Sequence, residues 1–223
     1  MFAINHASAA LLFKKKYPAL SIIWLLICVQ LVEYFWVFLN YLGIEKTTTN
    51  ETVKYIGDIH LSYMPFSHSF LTTVLLALVV YVVVRFMFGN AKLALILTLA
   101  ISSHFFLDLL VHAKDLPLWY FTIDPRFGTN MYPALPYLAF AVEFVFGLIC
   151  WWYYGGSKKL LAVIIIFNLL NFTTFSPNII GLEKYFANRT LLLTTVIFSQ
   201  IIITSFLVWY FSSKSQVENR TIS

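Results

Sequence analysis

Charge is scarce in this chain. Of its 223 residues only 11% are Asp, Glu, Lys or Arg, against about 25% in an ordinary soluble domain. So thin a polar coat excludes a water-soluble globule. Cysteine is scarcer still. Cys28 and Cys150 both fall in apolar segments and read as small buried hydrophobes, which excludes a disulfide framework and a thiolate metal site. No long basic tract is present. The net charge of +5 comes from lysines and arginines that punctuate apolar segments, as orientation signals do, and it offers no footing for nucleic acid. The chain also lacks an internal repeat and a low-complexity linker, which counts against a transporter built from inverted repeats. With no polar stretch longer than about 20 residues, one membrane domain is the better count.

What the chain has instead is apolar length: 60% of it is hydrophobic. A membrane helix needs roughly 20 consecutive apolar residues, and runs of that kind fall at 19–42, 65–88, 91–112, 134–154, 160–180 and 190–211. The expected fold is therefore an all-α, polytopic bundle of six spans. The opening "MFAINHASAALLFKKKYP" carries its positive charge after a short apolar stretch, unlike a secretory signal, and reads as a retained, re-entrant or half-spanning helix. Residues 1–120 bear the motifs described below, 134–211 supply accessory spans, and 212–223 form a polar tail. Trp119 with Tyr120, Trp151 to Tyr154, and Trp209 to Phe211 crowd the segment ends as an interfacial belt. Basic residues divide nine to six. Lys14, Lys15, Lys16, Arg85, Lys92, Lys158, Lys159, Lys214 and Arg220 lie on one side, opposed only by Glu218. Lys46, Lys54, Lys114, Arg126, Lys184 and Arg189 lie on the other, balanced by Glu45, Glu51, Asp58, Asp115, Asp124 and Glu183. The first side is expected to be cytoplasmic, with both termini on it.

A few ionisable residues remain inside or at the ends of apolar runs: His6, Glu33, His68, His104, Asp108, His112 and Glu143. Such groups are costly in a bilayer, so each is a candidate for function. His104, Asp108 and His112 follow an i, i+4, i+8 spacing and share one helix face in the outer half of the third run. His68 follows Pro65 and is expected in a first helical turn, with His60 in the preceding loop and Glu33 in the outer half of the first span. His6 reaches mid-membrane depth on a helix through residues 2–13 and needs protein or a wet cavity around it. Several have a plainer alternative. His60 and His112 fit the interface, Glu143 fits a hydrogen bond to Asn168 or Asn171 between helices, Glu33 fits a protonated core carboxyl, and His6 fits the membrane surface.

Imidazole and carboxylate without thiolate suit Zn²⁺ and similar first-row ions, and an i, i+4 pair presents two donors to one ion. Spare carboxylates beside such an ion are the parts of a hydrolase, and at the outer interface lipid head groups are the nearest substrates.

At this point the chain resembles a known family, the bacterial inner-membrane proteins called membrane-bound metal-dependent hydrolases, one of which is SOS-regulated. These carry an N-terminal histidine before an apolar helix, then a Pro-Asp-x-Asp-His stretch, then His-Arg-x-x-Thr-His-Ser, then His-x-x-x-Asp before a Pro-Leu-Trp-like segment. Here "INHASAALLF" supplies His6, "MPFSHSF" supplies His68 and Ser69, and "SSHFFLDLLVHAKDLPLW" supplies His104 and Asp108. The likeness covers roughly the first 120 residues. The acidic stretch is missing, with only Glu33 in "LVEYFWVFL", and the His-Arg pair is gone, leaving His60 upstream of His68. The resemblance implies a bacterial inner-membrane enzyme.

Taken together, these expectations describe a metal-dependent hydrolase of a lipid or lipid-linked phosphoester. His6, His68, His104 and Asp108 hold Zn²⁺ or Mn²⁺, Glu33 is ligand or general base, and His112 and His60 meet the leaving group or phosphate. Two rivals stand beside it: a transporter moving an ion or proton through the same polar cluster, and a scaffold whose role survives loss of His104 and Asp108.

Overall fold

The computed structural model describes residues 1–119 and 124–221, with side chains described to residue 213. Tyr120 of the expected aromatic belt and the side chains of Lys214, Glu218 and Arg220 lie outside the described residues.

The chain folds as a helical bundle around its own N-terminus. Helix α1 (Ala3–Lys16) is buried on almost every side from Ala3 to Leu11. It packs against most of the helices that follow. Small residues allow this close approach: Ala7 and Ala10 are fully enclosed. Lys14 to Lys16 occupy its last turn, where positive charge complements the helix dipole.

The expected span 19–42 is two helices, α2 (Ile22–Val29) and α3 (Leu31–Tyr41), bent by 49° at Gln30. Gln30 is buried and donates its side-chain amide to the Ala3 carbonyl at 2.8 Å, so the break clamps the start of α1. A twisted hairpin of β1 (Lys46–Thr49) and β2 (Ile59–Tyr63) follows, antiparallel and irregular between Lys46 and Thr48. It departs from an all-α expectation, and its β-branched KTTT strand is the physical reason.

Helix α4 (Phe70–Phe88) starts later than the expected 65–88. Ser69 is its N-cap, accepting from Thr72 N at 3.2 Å, so His68 lies in the turn before the helix and not in its first turn. Gly89, left-handed at φ 64°, stops α4, and Asn90 caps α5 (Ala91–Val111) by accepting from Leu93 N at 2.9 Å. This tight stop-and-start makes α4 and α5 an antiparallel pair. Two short strands, β3 (Leu116–Pro117) and β4 (Arg126–Phe127), pair beyond α5. The single turn α6 (Met131–Ala134) leads into α7 (Pro136–Tyr154), which Gly155 ends at φ 75°.

Helix α8 (Lys158–Leu170) is only 13 residues long and stops well short of the end of the region expected to span at 160–180. It gives way at Asn171 to a 3₁₀ turn, Phe172–Phe175, and a second such turn covers Leu182–Phe186. Helix α9 (Thr190–Thr221) closes the bundle.

Among the described residues four helices are long and apolar enough to cross a membrane: Phe70–Phe88, Ala91–Val111, Pro136–Tyr154 and Thr190–Ser213. The bent pair α2–α3 makes a fifth if counted as one broken span. Their outward residues suit lipid, with large apolar side chains such as Phe86 and Trp152 turned out of the protein.

Candidate metal centre

Three separate helices bring four polar residues to one buried point. Helix α1 brings His6, α3 brings Glu33, and α5 brings His104 and Asp108 from successive turns. One ligand atom from each of these four lies within 4.8 Å of all the others, so the group could hold a metal ion. His104 and Asp108 are each 1% exposed and His6 is fully enclosed. The helix spacing read from the sequence is what places two donors on one face of α5.

The hydrogen bonds around the group decide which atoms face inward. His104 Nδ1 lies 2.9 Å from the Val29 carbonyl, one of the terminal α2 carbonyls that the break at Gln30 leaves without a helical partner. A carbonyl only accepts, so Nδ1 carries the proton and Nε2 offers its lone pair. That Nε2 stands 3.0 Å from Asp108 Oδ2, and neither atom has a hydrogen-bond partner. Two buried acceptors at this distance require a cation between them, either a second imidazole proton or a metal ion. The other oxygen, Asp108 Oδ1, is occupied by the Met1 amino group, by His6 Nε2 at 3.1 Å and by His112 Nε2 at 3.5 Å. Oδ2 is thus the oxygen left for an ion. The rings of His6 and His104 are stacked, with centroids 3.9 Å apart and planes 9° from parallel.

His68 borders the group without joining the four. Its Nε2 lies 3.9 Å from Glu33 Oε1 and 3.8 Å from Asp108 Oδ2. A relay orients it from behind. Ser67 Oγ donates to Glu45 Oε2 at 2.5 Å and therefore accepts from His68 Nδ1 at 2.8 Å, leaving Nε2 to face the centre. Glu45 also receives the Phe66 and Ser67 amides, each at 2.8 Å, which fixes the turn. Outer partners of this kind set the tautomer and basicity of metal-bound histidines.

His112 caps α5 and is partly exposed, its Nδ1 3.4 Å from Asp115 Oδ1. His60 stands apart from the four ligands, on β2, exposed and 2.9 Å from Asn50 Oδ1. Glu143 does act between helices, through other partners than those expected. It accepts from Phe2 N at 2.8 Å, Asn5 Nδ2 at 2.9 Å and the Tyr132 hydroxyl at 2.6 Å, and Asn5 passes the contact on to Asn168 at 3.0 Å. Burial and the Glu143 carboxylate push the Tyr132 phenol well above its ordinary pKa, which keeps it a donor.

Sequence reasoning missed Glu45, Ser67, Asn5 and Tyr132. Glu45 looked like one more loop charge, and its role depends on a turn twenty residues downstream. Asn5 carried a signal, one residue before His6 in a helix with no solvent-facing side along its first half.

Every ion-pair partner of Glu33 and Asp108 among the described residues is an imidazole or the Met1 amino group. Buried negative charge of this kind attracts a cation. Comparison with known proteins gives no match: no family model fits the chain, and no curated protein or solved structure matches it. Fold and site define a class, a helical protein with apolar, membrane-length helices and a buried His/Glu/Asp group suited to a metal ion.

Proposed function

We propose that the chain is a membrane-embedded, metal-dependent hydrolase, a divergent member of the bacterial inner-membrane family whose motifs it resembles. Its substrate is a phosphoester of a lipid or lipid-linked molecule at the outer interface. In this reading both termini are cytoplasmic, α2–α3 and the α8 region complete six crossings, and α1 is half-spanning. The observation that carries the proposal is the pair of unpartnered buried acceptors, His104 Nε2 and Asp108 Oδ2, at 3.0 Å. Two imidazoles and two carboxylates suit Zn²⁺ or Mn²⁺.

His6, Glu33, His104 and Asp108 would hold the ion, with His68 beside them. Such an ion supplies Lewis acidity and brings the pKa of a water toward about 7. Glu33, the most accessible of the four at 13% exposure, takes the proton of the attacking water as its oxygen bonds to phosphorus. The ester P–O bond breaks, and the departing oxygen receives a proton from His112. An alcohol and a phosphorylated fragment result.

A conduit is less well supported. Beyond the cluster, toward the Lys14–Lys16 end, the centre of the bundle is filled by Ala7, Ala10, Leu11, Leu25, Ala94 and Leu97, all buried. An ion path would need polar groups there.

The test is ³¹P NMR on mixed micelles of the purified protein with bacterial phospholipids, after chelation and reloading with Zn²⁺ or Mn²⁺. Release of a phosphorylated fragment that Asp108→Ala abolishes supports hydrolysis. Metal-loaded protein that cleaves no phospholipid phosphoester contradicts it.

A further inference from the structure

Two cavities share a wall beside the candidate metal centre. One, of about 560 Å³, lies on the hairpin side and is bordered by His60, His112, Lys114, Asp115, Arg126 and Asn130. The other, of about 490 Å³, starts at Glu33 and His68 and runs along Leu193, Ile197 and Ile201 of α9. They share Ile56, Ile59, Leu61, His112 and Tyr132 as common walls. The two differ in chemistry. In the first, Asp115 is turned to His112 at 3.4 Å, and among the described residues Arg126 pairs with exposed Asp124, at 4.0 Å. Arg126 and Lys114 there offer positive charge to an anion. The second also carries Glu183, Arg189 and Gln200 in its lining, but its wall is mostly apolar: Leu193, Ile197 and Ile201 recur every four residues, so one face of α9 lines roughly 12 Å of apolar wall.

We propose that these cavities form one amphiphile-binding site. An acyl chain lies along α9, an anionic phosphate-bearing headgroup lies by Lys114 and Arg126, and the bond between them passes His112 and Tyr132 beside Glu33. The place of the scissile bond rests on the hydrolase reading; the lipid site itself does not. An apolar slot and a cationic pocket, joined at a shared wall within a membrane-type bundle, match the two halves of a lipid and neither half alone. The α9 face therefore measures chain length, and the Lys114/Arg126 pair selects headgroup charge.

The test uses a non-hydrolysable probe, a 16-carbon alkyl phosphonate with a diazirine at the chain end, photolysed with the full-length protein in detergent. Labelled peptides are then mapped by mass spectrometry. Adducts are expected on 182–186 and on the 192–201 stretch of α9. Ile197→Trp, which fills the slot, is expected to cut labelling about tenfold. Lys114→Ala with Arg126→Ala is expected to weaken capture at limiting probe by about the same factor and remove its salt dependence. Ile197→Ala, which only widens the slot, should label like wild type and guards against a folding defect in the tryptophan variant. Inorganic phosphate should compete poorly, since it fills the headgroup pocket alone; competition equal to that of unlabelled alkyl phosphonate would reduce the site to a phosphate pocket and overturn the proposal. Labels spread over the outward faces of α4 and α7, unaffected by Ile197→Trp, would also overturn it. Labelling does not depend on turnover, so an α9-labelled protein without hydrolysis rejects the hydrolase reading alone. A hydrolytic protein labelled elsewhere rejects this inference alone.

Discussion

Helices α4 and α5 are neighbours of similar length and apolar content, with mean hydropathies of 2.4 and 2.0 over their apolar windows. Their surroundings differ: 17% of the α4 window is buried against 50% of that of α5. In α4, Val79 and Phe86 are turned outward, more than half exposed. In α5, Ala100, Ile101, His104 and Asp108 face the bundle and are almost wholly enclosed. Hydropathy does not separate the two helices. The ionisable pair does, because a histidine and a carboxylate one turn apart are stable in a membrane-type helix only where protein, a proton or a metal answers them. The buried face of α5 is also the face that bears the candidate metal ligands.

The largest effects should come from removing that pair. Asp108→Ala and His104→Ala are each expected to lower metal affinity by more than about 100-fold, beyond the range of outer-sphere changes. Titration of chelator-stripped protein with Zn²⁺, followed by calorimetry, measures this. Retained affinity in Asp108→Ala would erase the distinction between the helices.

A smaller effect should follow from loosening the relay behind His68. Ser67→Ala leaves Glu45 and His68 without their link and should weaken metal binding by roughly 10-fold if His68 leans on the centre. Ser67→Thr, which keeps the hydroxyl, should restore it. Equal loss in both variants would mean the turn itself, and not the hydroxyl, is what matters.

The smallest effects sharpen the contrast in packing alone. Ala100→Leu adds bulk at an enclosed site on α5 and should cost about 1–3 kcal/mol. Val79→Leu on the outward face of α4 should stay within about 0.5 kcal/mol. Thermal unfolding in one detergent compares them. Equal shifts would mean that the two helices are equally packed.

Much of this was legible in the residues. The long apolar runs marked α4, α5, α7 and α9, and the i, i+4 spacing put His104 and Asp108 together. His6 was expected to need a protein-lined setting at depth, and α1 sits enclosed in the bundle. The break at Gln30 was not legible, because neither Pro nor Gly marks it and its cause is a partner 27 residues away, the Ala3 carbonyl. The early end of α8 was hidden in the same way: Asn168 and Asn171 interrupt an apolar run by turning their amides to the backbone carbonyls of Ile164 and Phe167 and, through Asn168, to Asn5. His60 looked like a companion of His68 by closeness in sequence, yet the β1–β2 hairpin carries it to the rim. Glu45 reached the site only through tertiary folding, which no local pattern records.

The most direct test of the central claim is metal content by mass spectrometry on detergent-purified protein, with His104→Ala and Asp108→Ala alongside. One Zn²⁺ or Mn²⁺ per chain, lost in both variants while each stays folded, is the predicted result. Folded wild-type protein that remains metal-free after incubation with these ions would mean that protons alone answer the buried acceptors, and the account of a metal centre would fail.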